Sequence, residues 1–225
     1  MPRDTLERQI HQLQDEVLLL GSMVEQAVMK SIEALRLRDI HLARKIYNDD
    51  HLINEKRFAI ENNILIIIAT QQPMAGDLRK LTAILEIITE LERMGDYAKG
   101  IGKVVINLEN VEIPIPIRDI SQMADAAVSM LHRALGAFIS EDTAAASTIP
   151  MEDDAVDGLY VRISNHIVTS MIANPETIDH ANLLMWVVHN LERMADRVTN
   201  ICERTIFIIT GELLELEQAD DEDSE

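Results

Sequence analysis

Aromatic residues make up only 3% of the 225-residue chain. A core must then be built from Leu, Ile, Val, Met and Ala, which suits packed helices better than sheets. Eight glycines and six prolines are too few for a turn-rich all-β fold. Basic residues are also scarce: 20 Lys and Arg stand against 39 Asp and Glu, a net charge of −19. Such a surface repels phosphate backbones and anionic lipid, so the expected partners include no nucleic acid. Cations or a basic protein surface fit better. Cys202 is the single cysteine, which excludes an intrachain disulfide and leaves nothing that points to an oxidising compartment. Long apolar runs are missing too. The longest strongly apolar stretch is residues 64–69, far short of the roughly 20 residues of a membrane-spanning helix. The opening Met-Pro-Arg-Asp-Thr-Leu-Glu-Arg carries no signal-peptide core. A cytoplasmic protein without direct membrane insertion is expected.

What is abundant is helical periodicity. Leu6, Ile10, Leu13, Val17, Leu20, Val24, Ala27, Val28, Ser31 and Leu35 recur every three or four residues, the apolar stripe of one long helix. Asp39 is placed to cap a second helix, which Gln71-Gln72-Pro73 ends. A third is expected from about Asp77 to Asn107. Pro114 and Pro116 then forbid a helix, so residues 111–117 read as a linker. The second half repeats the plan, with helices over about 118–139, 141–173 and 176–211. Pro150 should kink or interrupt the middle one, Pro175 marks a turn, and Gly211 stops the last. The fold class is therefore all-α: two similar three-helix bundles, residues 1–110 and 118–211. Residues 212–225 hold eight acids in fourteen positions and read as a disordered acidic tail.

The halves share sequence as well as plan. Leu91-Glu92-Arg93-Met94-Gly95-Asp96 recurs as Leu191-Glu192-Arg193-Met194-Ala195-Asp196, identical at five of six positions and offset by 100 residues. At the same offset Ile84, Leu85, Ile87, Ile88 and Ile101 meet Leu184, Met185, Val187, Val188 and Ile201. A repeated three-helix unit implies a pseudo-twofold pair of bundles.

Glu92 and Asp96 lie one helical turn apart and continue the apolar stripe of Leu78, Leu81, Leu85 and Ile88. Glu192 and Asp196 do the same behind Ile178, Ala181, Met185 and Val188. Partly buried carboxylates one turn apart repel each other and need a cation, from Arg, Lys or a metal. On the preceding helix Asp153 and Asp157 are again four apart, so four carboxylates from two facing helices could form an oxygen-rich site. In the first half Asp49 fits the first of these positions but Ile53 occupies the second; alternatively Asp50 and Asn54 serve. The expected ligands of a divalent or ferric ion are thus Asp153, Asp157, Glu192, Asp196, Glu92, Asp96 and Asp49, with the first site weaker. Ion pairing with Arg or Lys from neighbouring helices is the competing expectation. Arg93 and Arg193 point about 100° away from the glutamates beside them and are poor partners. His189, one turn before the second pair, and Cys202 read as structural residues.

Enzymatic motifs are missing. A di-iron bundle would need Glu-x-x-His, and none of the seven histidines has an acid three residues before it. Neither a phosphate-cradling glycine loop nor a Gly-x-Ser-x-Gly elbow occurs. A regulatory adaptor, a metal-storage or metal-dependent bundle protein, and a purely structural dimerisation module are the function classes left.

Four segments favour the first. Met23-Val24-Glu25-Gln26-Ala27, Gln72-Pro73-Met74-Ala75-Gly76-Asp77-Leu78-Arg79 and the two Leu-Glu-Arg-Met-x-Asp copies resemble the PhoU family, and the resemblance extends from about Thr5 to Gly211. It implies two three-helix bundles, no catalysis and a cytoplasmic regulator of phosphate uptake and phosphate-starvation signalling. The partners implied are the ATPase subunit of a phosphate ABC transporter and a sensor histidine kinase; a homodimer is expected. The family's Glu/Asp-x-x-x-Asp metal motifs map onto Glu92 with Asp96, Glu192 with Asp196, and Asp153 with Asp157.

Overall fold

The computed structural model describes residues 2–109, 111 and 113–216. Among them are seven α-helices, two short 3-10 turns and no strand. The first half is α1 (Pro2–Leu37), α2 (Ile40–Gln71) and α3 (Ala75–Asn107). The second is α4 (Ile117–Ser140), α5 (Thr143–Thr148), α6 (Asp153–Ala173) and α7 (Ile178–Thr210).

Local chemistry sets the boundaries. Asp39 caps α2, its carboxylate accepting from Leu42 N–H. Gln72 ends α2 in the left-handed conformation, and Pro73 prevents its continuation. Gly211 ends α7 at φ 77, a conformation open to glycine because it has no Cβ, and its N–H bonds Phe207 O. Of the two outcomes expected at Pro150, a kink or an interruption, the second holds. The expected single helix over 141–173 is three pieces: α5, a 3-10 turn Ile149–Glu152, and α6. Asp142 caps α5 through Ala145 N–H, and the missing proline N–H breaks the ladder behind it. In the linker, Arg38 donates to Val111 O and Ile113 O and ties it to the end of α1, while Ile113 is buried.

The apolar stripes face inward over most of their length, with Leu78 and Ile178 exposed near the starts of α3 and α7. Leu6, Ile10, Leu13, Val17, Leu20, Val24 and Val28 are buried along α1, and Leu81, Ile84, Ile87, Ile88, Leu91 and Met94 are fully buried along α3. Truncating any of the latter to Ala costs about 2–5 kcal/mol.

Counterpart helices meet across the middle: α3 packs on α7, and α1 on α4. Tyr97 and Arg197, equivalent under the 100-residue offset, touch each other, Arg197 Nε donating to Tyr97 Oη at 2.7 Å. Contact between equivalent residues is what a pseudo-twofold axis requires. Arg197 also pairs with Glu90 at 2.6 Å, and Arg204 with Glu86 at 2.6 Å. At Gly100 a Cβ would lie 2.0 Å from the Trp186 ring, so glycine is what lets that indole lie against α3.

The acidic tail departs from expectation over 212–216. This segment folds back along α7, and Leu216 N–H donates to Glu203 at 2.8 Å. The remainder of the expected disordered tail lies outside the described residues. No described helix is long and apolar enough to cross a membrane.

Candidate functional site: two acidic notches

Each half places its acidic pair in a notch between two helices, α2 and α3 in the first, α6 and α7 in the second. The two copies of the Leu-Glu-Arg-Met-x-Asp segment share one burial pattern. Leu91, Met94 and Gly95 are buried, as are Leu191, Met194 and Ala195; Glu92, Asp96, Glu192 and Asp196 are half-buried; Arg93 and Arg193 are exposed. The carboxylates therefore sit at the rim of the core, as the stripe geometry demands.

The facing helices set the register. Asp50 is 5% exposed and Asp153 2%, followed by buried Ile53 and Val156 respectively. Asp50 and Asn54 thus correspond to Asp153 and Asp157. The alternative register holds: Asp49 is exposed, and with Asp50, Ile53 and Gly95 it lines a cleft of about 160 Å³ on the side of the notch that faces Lys30 and Gln26 of α1. Ile53 takes no carboxylate's place. It is a core residue packed on Gly95, where a Cβ would approach to 3.1 Å. The residue that costs the first notch a carboxylate is Asn54.

In the first notch Lys99 reaches Asp50, Nζ to Oδ2 at 2.7 Å. Asn54 Nδ2 donates to the same oxygen at 3.2 Å. Glu92 is held above the ordinary carboxylate range, first by desolvation and then by the Asp96 charge; Arg93 and Arg57 oppose this and Asp50 adds to it. Arg93 stays at the rim, 3.9 Å from both Glu92 and Asp96, too far for a hydrogen bond.

The second notch has no ammonium in that place. The counterpart of Lys99 is Thr199, 7% exposed, whose Oγ1 is buried and makes no hydrogen bond. Glu192 is raised by desolvation, then by Asp196 and more weakly by Asp157, with His189 and Arg193 opposing. Asp157 is raised by desolvation, then by Asp196 and Asp154. These mutual effects place Asp157, Glu192 and Asp196 around one volume, with Asp153 buried one turn before Asp157. His189 Nδ1 lies 3.3 Å from Glu192 Oε2 without hydrogen-bond alignment. Among the described residues no group of three or more Asp, Glu, His or Cys is drawn close enough to hold a metal ion as it stands. The carboxylates are within reach of one another's charge but have not closed to ligating distance. Cys202 is fully buried and its thiol is pushed up to about 12, chiefly by burial, so it is inert packing.

Reading the sequence missed Lys99, although the signal was there: it follows Asp96 by three residues and Glu92 by seven, on the same face. Arg197, at the junction of the halves, was missed because its partners come from the other copy.

The chain matches the PhoU domain twice, over residues 17–105 and 120–205. It is 34% identical over 217 residues to a phosphate-specific transport system accessory protein PhoU homolog of Clostridium acetobutylicum, covering 96% of this chain and 99% of the relative. The Streptococcus pneumoniae serotype 4 homolog of the same description is 34% identical over 214 residues, covering 95% and 99%. Among solved structures, the phosphate transport system regulatory protein PhoU from Streptococcus pneumoniae superposes with a TM-score of 0.86 at 32% identity, covering 93% of this chain and 99% of that one. PhoU from Pseudomonas aeruginosa gives 0.85 at 29%, covering 92% and 99%.

Proposed function

Since the chain belongs to the PhoU family, we propose that it is a non-catalytic, cytoplasmic regulator of phosphate uptake and phosphate-starvation signalling. It works by contact with the ATPase subunit of a phosphate ABC transporter and with a sensor histidine kinase, as a homodimer. The observation that carries this reading is the match of both halves, in order and over nearly the whole length, to proteins named as accessory and regulatory components of phosphate transport. Two similar bundles offer two similar helix faces, which suits the bridging of two partners or of a symmetric transporter. A charge of −19 favours basic patches on those partners.

The second notch takes a divalent or ferric ion, with Asp153, Asp157, Glu192 and Asp196 as its oxygen ligands. Support comes from the chemistry of the set: carboxylates on two facing helices, two of them held protonation-prone by burial and by the Asp196 charge, and a buried Glu192 oxygen without a hydrogen bond. The ion would neutralise them and pin α6 to α7.

The regulatory reading is tested by deleting the gene and following a starvation-responsive promoter reporter and phosphate accumulation at high phosphate. Reporter activation or unbalanced uptake is expected. Wild-type behaviour in both, with no binding of the purified chain to purified ATPase subunit or kinase, overturns it.

A further inference from the structure

We infer that Lys99 is the permanent cation of the first notch, so that this notch takes no metal ion. The complementary statement, that a metal sits in the second notch, rests on the function proposed above; the role of Lys99 does not.

Position comes first. Lys99 shares a helix face with Glu92 and Asp96, and its ammonium lies 2.7 Å from Asp50, the most buried carboxylate of the notch. Asn54 occupies the same Asp50 oxygen from the side. The Tyr47 ring, 5.6 Å from Nζ, adds a cation–π contact that holds the ammonium in place. The Asp50 hydrogen bond and the charges of Asp50 and Asp96 favour the protonated amine over burial, which opposes it. A metal ligated by Asp50 would have to enter beside this ammonium or expel it. Two like charges about 3–4 Å apart in a half-buried site repel strongly, because little water is there to screen them. Expulsion would also break the charge-assisted bond to a carboxylate that water scarcely reaches.

The second notch shows the position without the ammonium. Thr199 places a buried, unpartnered hydroxyl on the face of Glu192 and Asp196. The first notch brings Asp50, Glu92 and Asp96 against Lys99; the second has Asp153, Asp157, Glu192 and Asp196, with Thr199 in the place of that lysine. Ligand charge count is a main determinant of affinity for hard cations. Lys99 on α3 against Thr199 on α7, with Asn54 against Asp157 on the facing helices, therefore sets which half is cation-filled from within and which from solution.

The test counts Mn²⁺ retained after loading and dialysis. The second notch is silenced by Glu192→Gln with Asp196→Asn, which leaves the first as the only candidate. With Lys99 present this protein should retain no Mn²⁺. Adding Lys99→Thr should bring retention to about one ion per chain, lost again on adding Glu92→Gln, whereas Lys99→Arg should add none. Conversely, Thr199→Lys in the otherwise native protein should abolish its Mn²⁺. If the native protein retains no Mn²⁺, the second-notch reading fails, while gain by Lys99→Thr still supports the role of Lys99. Mn²⁺ held by the silenced protein and removed by Glu92→Gln overturns the inference. So does a helical, folded Lys99→Thr variant that retains none. Should Lys99→Thr fail to fold, retention by the silenced parent and by Thr199→Lys decides.

Discussion

The two notches start from the same helix segment and the same burial pattern, yet they solve the same electrostatic problem differently. Between α2 and α3 the core-rim carboxylates receive an ammonium from their own helix, Lys99 to Asp50 at 2.7 Å. Between α6 and α7 the equivalent place holds Thr199, and burial, then the Asp196 charge, raises the pKa of Glu192 and Asp157. The packing differs in step with this: Gly95 against Ile53 in the first half stands where Ala195 and Val156 stand in the second, all four buried. Shape is thus conserved by moving a methyl group from one helix to the other, while charge changes at two positions, Lys99 against Thr199 and Asn54 against Asp157. A duplicated fold can keep its core and still specialise one copy through two positions beside it.

The comparison breaks most severely where the halves meet. Arg197, with 19% of its side chain exposed, bridges Glu90 and Tyr97 of the other half. Arg197→Ala leaves a largely buried Glu90 without its cation and should cost about 2–3 kcal/mol in urea unfolding. Tyr97→Phe, which removes only one hydrogen bond of the same cluster, should cost about 1 kcal/mol.

Next in size is the test at the rim itself. Lys99→Met strips Asp50 of its charge-assisted bond and should destabilise by about 2 kcal/mol. Thr199→Val removes a buried hydroxyl that makes no hydrogen bond, so unfolding should show it neutral or stabilised by up to ~1 kcal/mol. Equal losses from both would erase the difference between the notches.

A smaller effect sharpens the difference through pH. Glu192 and Asp157 have folded-state pKa values above those of the unfolded chain. The native protein therefore binds more protons, and their ionisation removes stability as pH rises from the ordinary carboxylate range through the raised values. Metal-free protein should gain stability from these groups as pH falls through the raised values towards the ordinary carboxylate range, and Glu192→Gln should flatten that gain while raising the melting temperature at neutral pH. Melting curves across that range decide it.

The smallest effect lies outside both notches. Arg133 grips Glu152 at 2.5 Å through both nitrogens, tying α4 to the Pro150 turn, with the Glu152 pKa lowered by that bond. Its stabilisation is present at neutral pH and lost as pH falls through the lowered folded value, opposite in sign to Glu192. Both side chains are exposed by more than two-fifths, so Glu152→Gln should cost only about 0.5 kcal/mol at pH 7.

The helices were legible because their stripes are continuous and their breaks fall on Asp39, Pro73, Pro175 and Gly211, residues whose backbone chemistry leaves few choices. Pro150 announced a break, but not that a capped helix and a 3-10 turn would form around it. The carboxylates of α3 and α7 were legible from the repeat. Their partners on α2 were not, since Asp49 and Asp50 are adjacent and one position of register decides which faces in; only the burial of Ile53 beside Gly95 fixes it. Lys99 is a contact between helices, and helix periodicity carries no direct record of what a face meets.

The most direct test of the asymmetry is a Mn²⁺ titration of the metal-stripped native protein followed by electron paramagnetic resonance. A single class of tight site is expected, about one ion per chain. It should vanish in Asp157→Asn with Glu192→Gln and survive unchanged in Glu92→Gln with Asp96→Asn. Two sites of like affinity, or loss of binding on mutating Glu92 and Asp96 alone, would contradict the account.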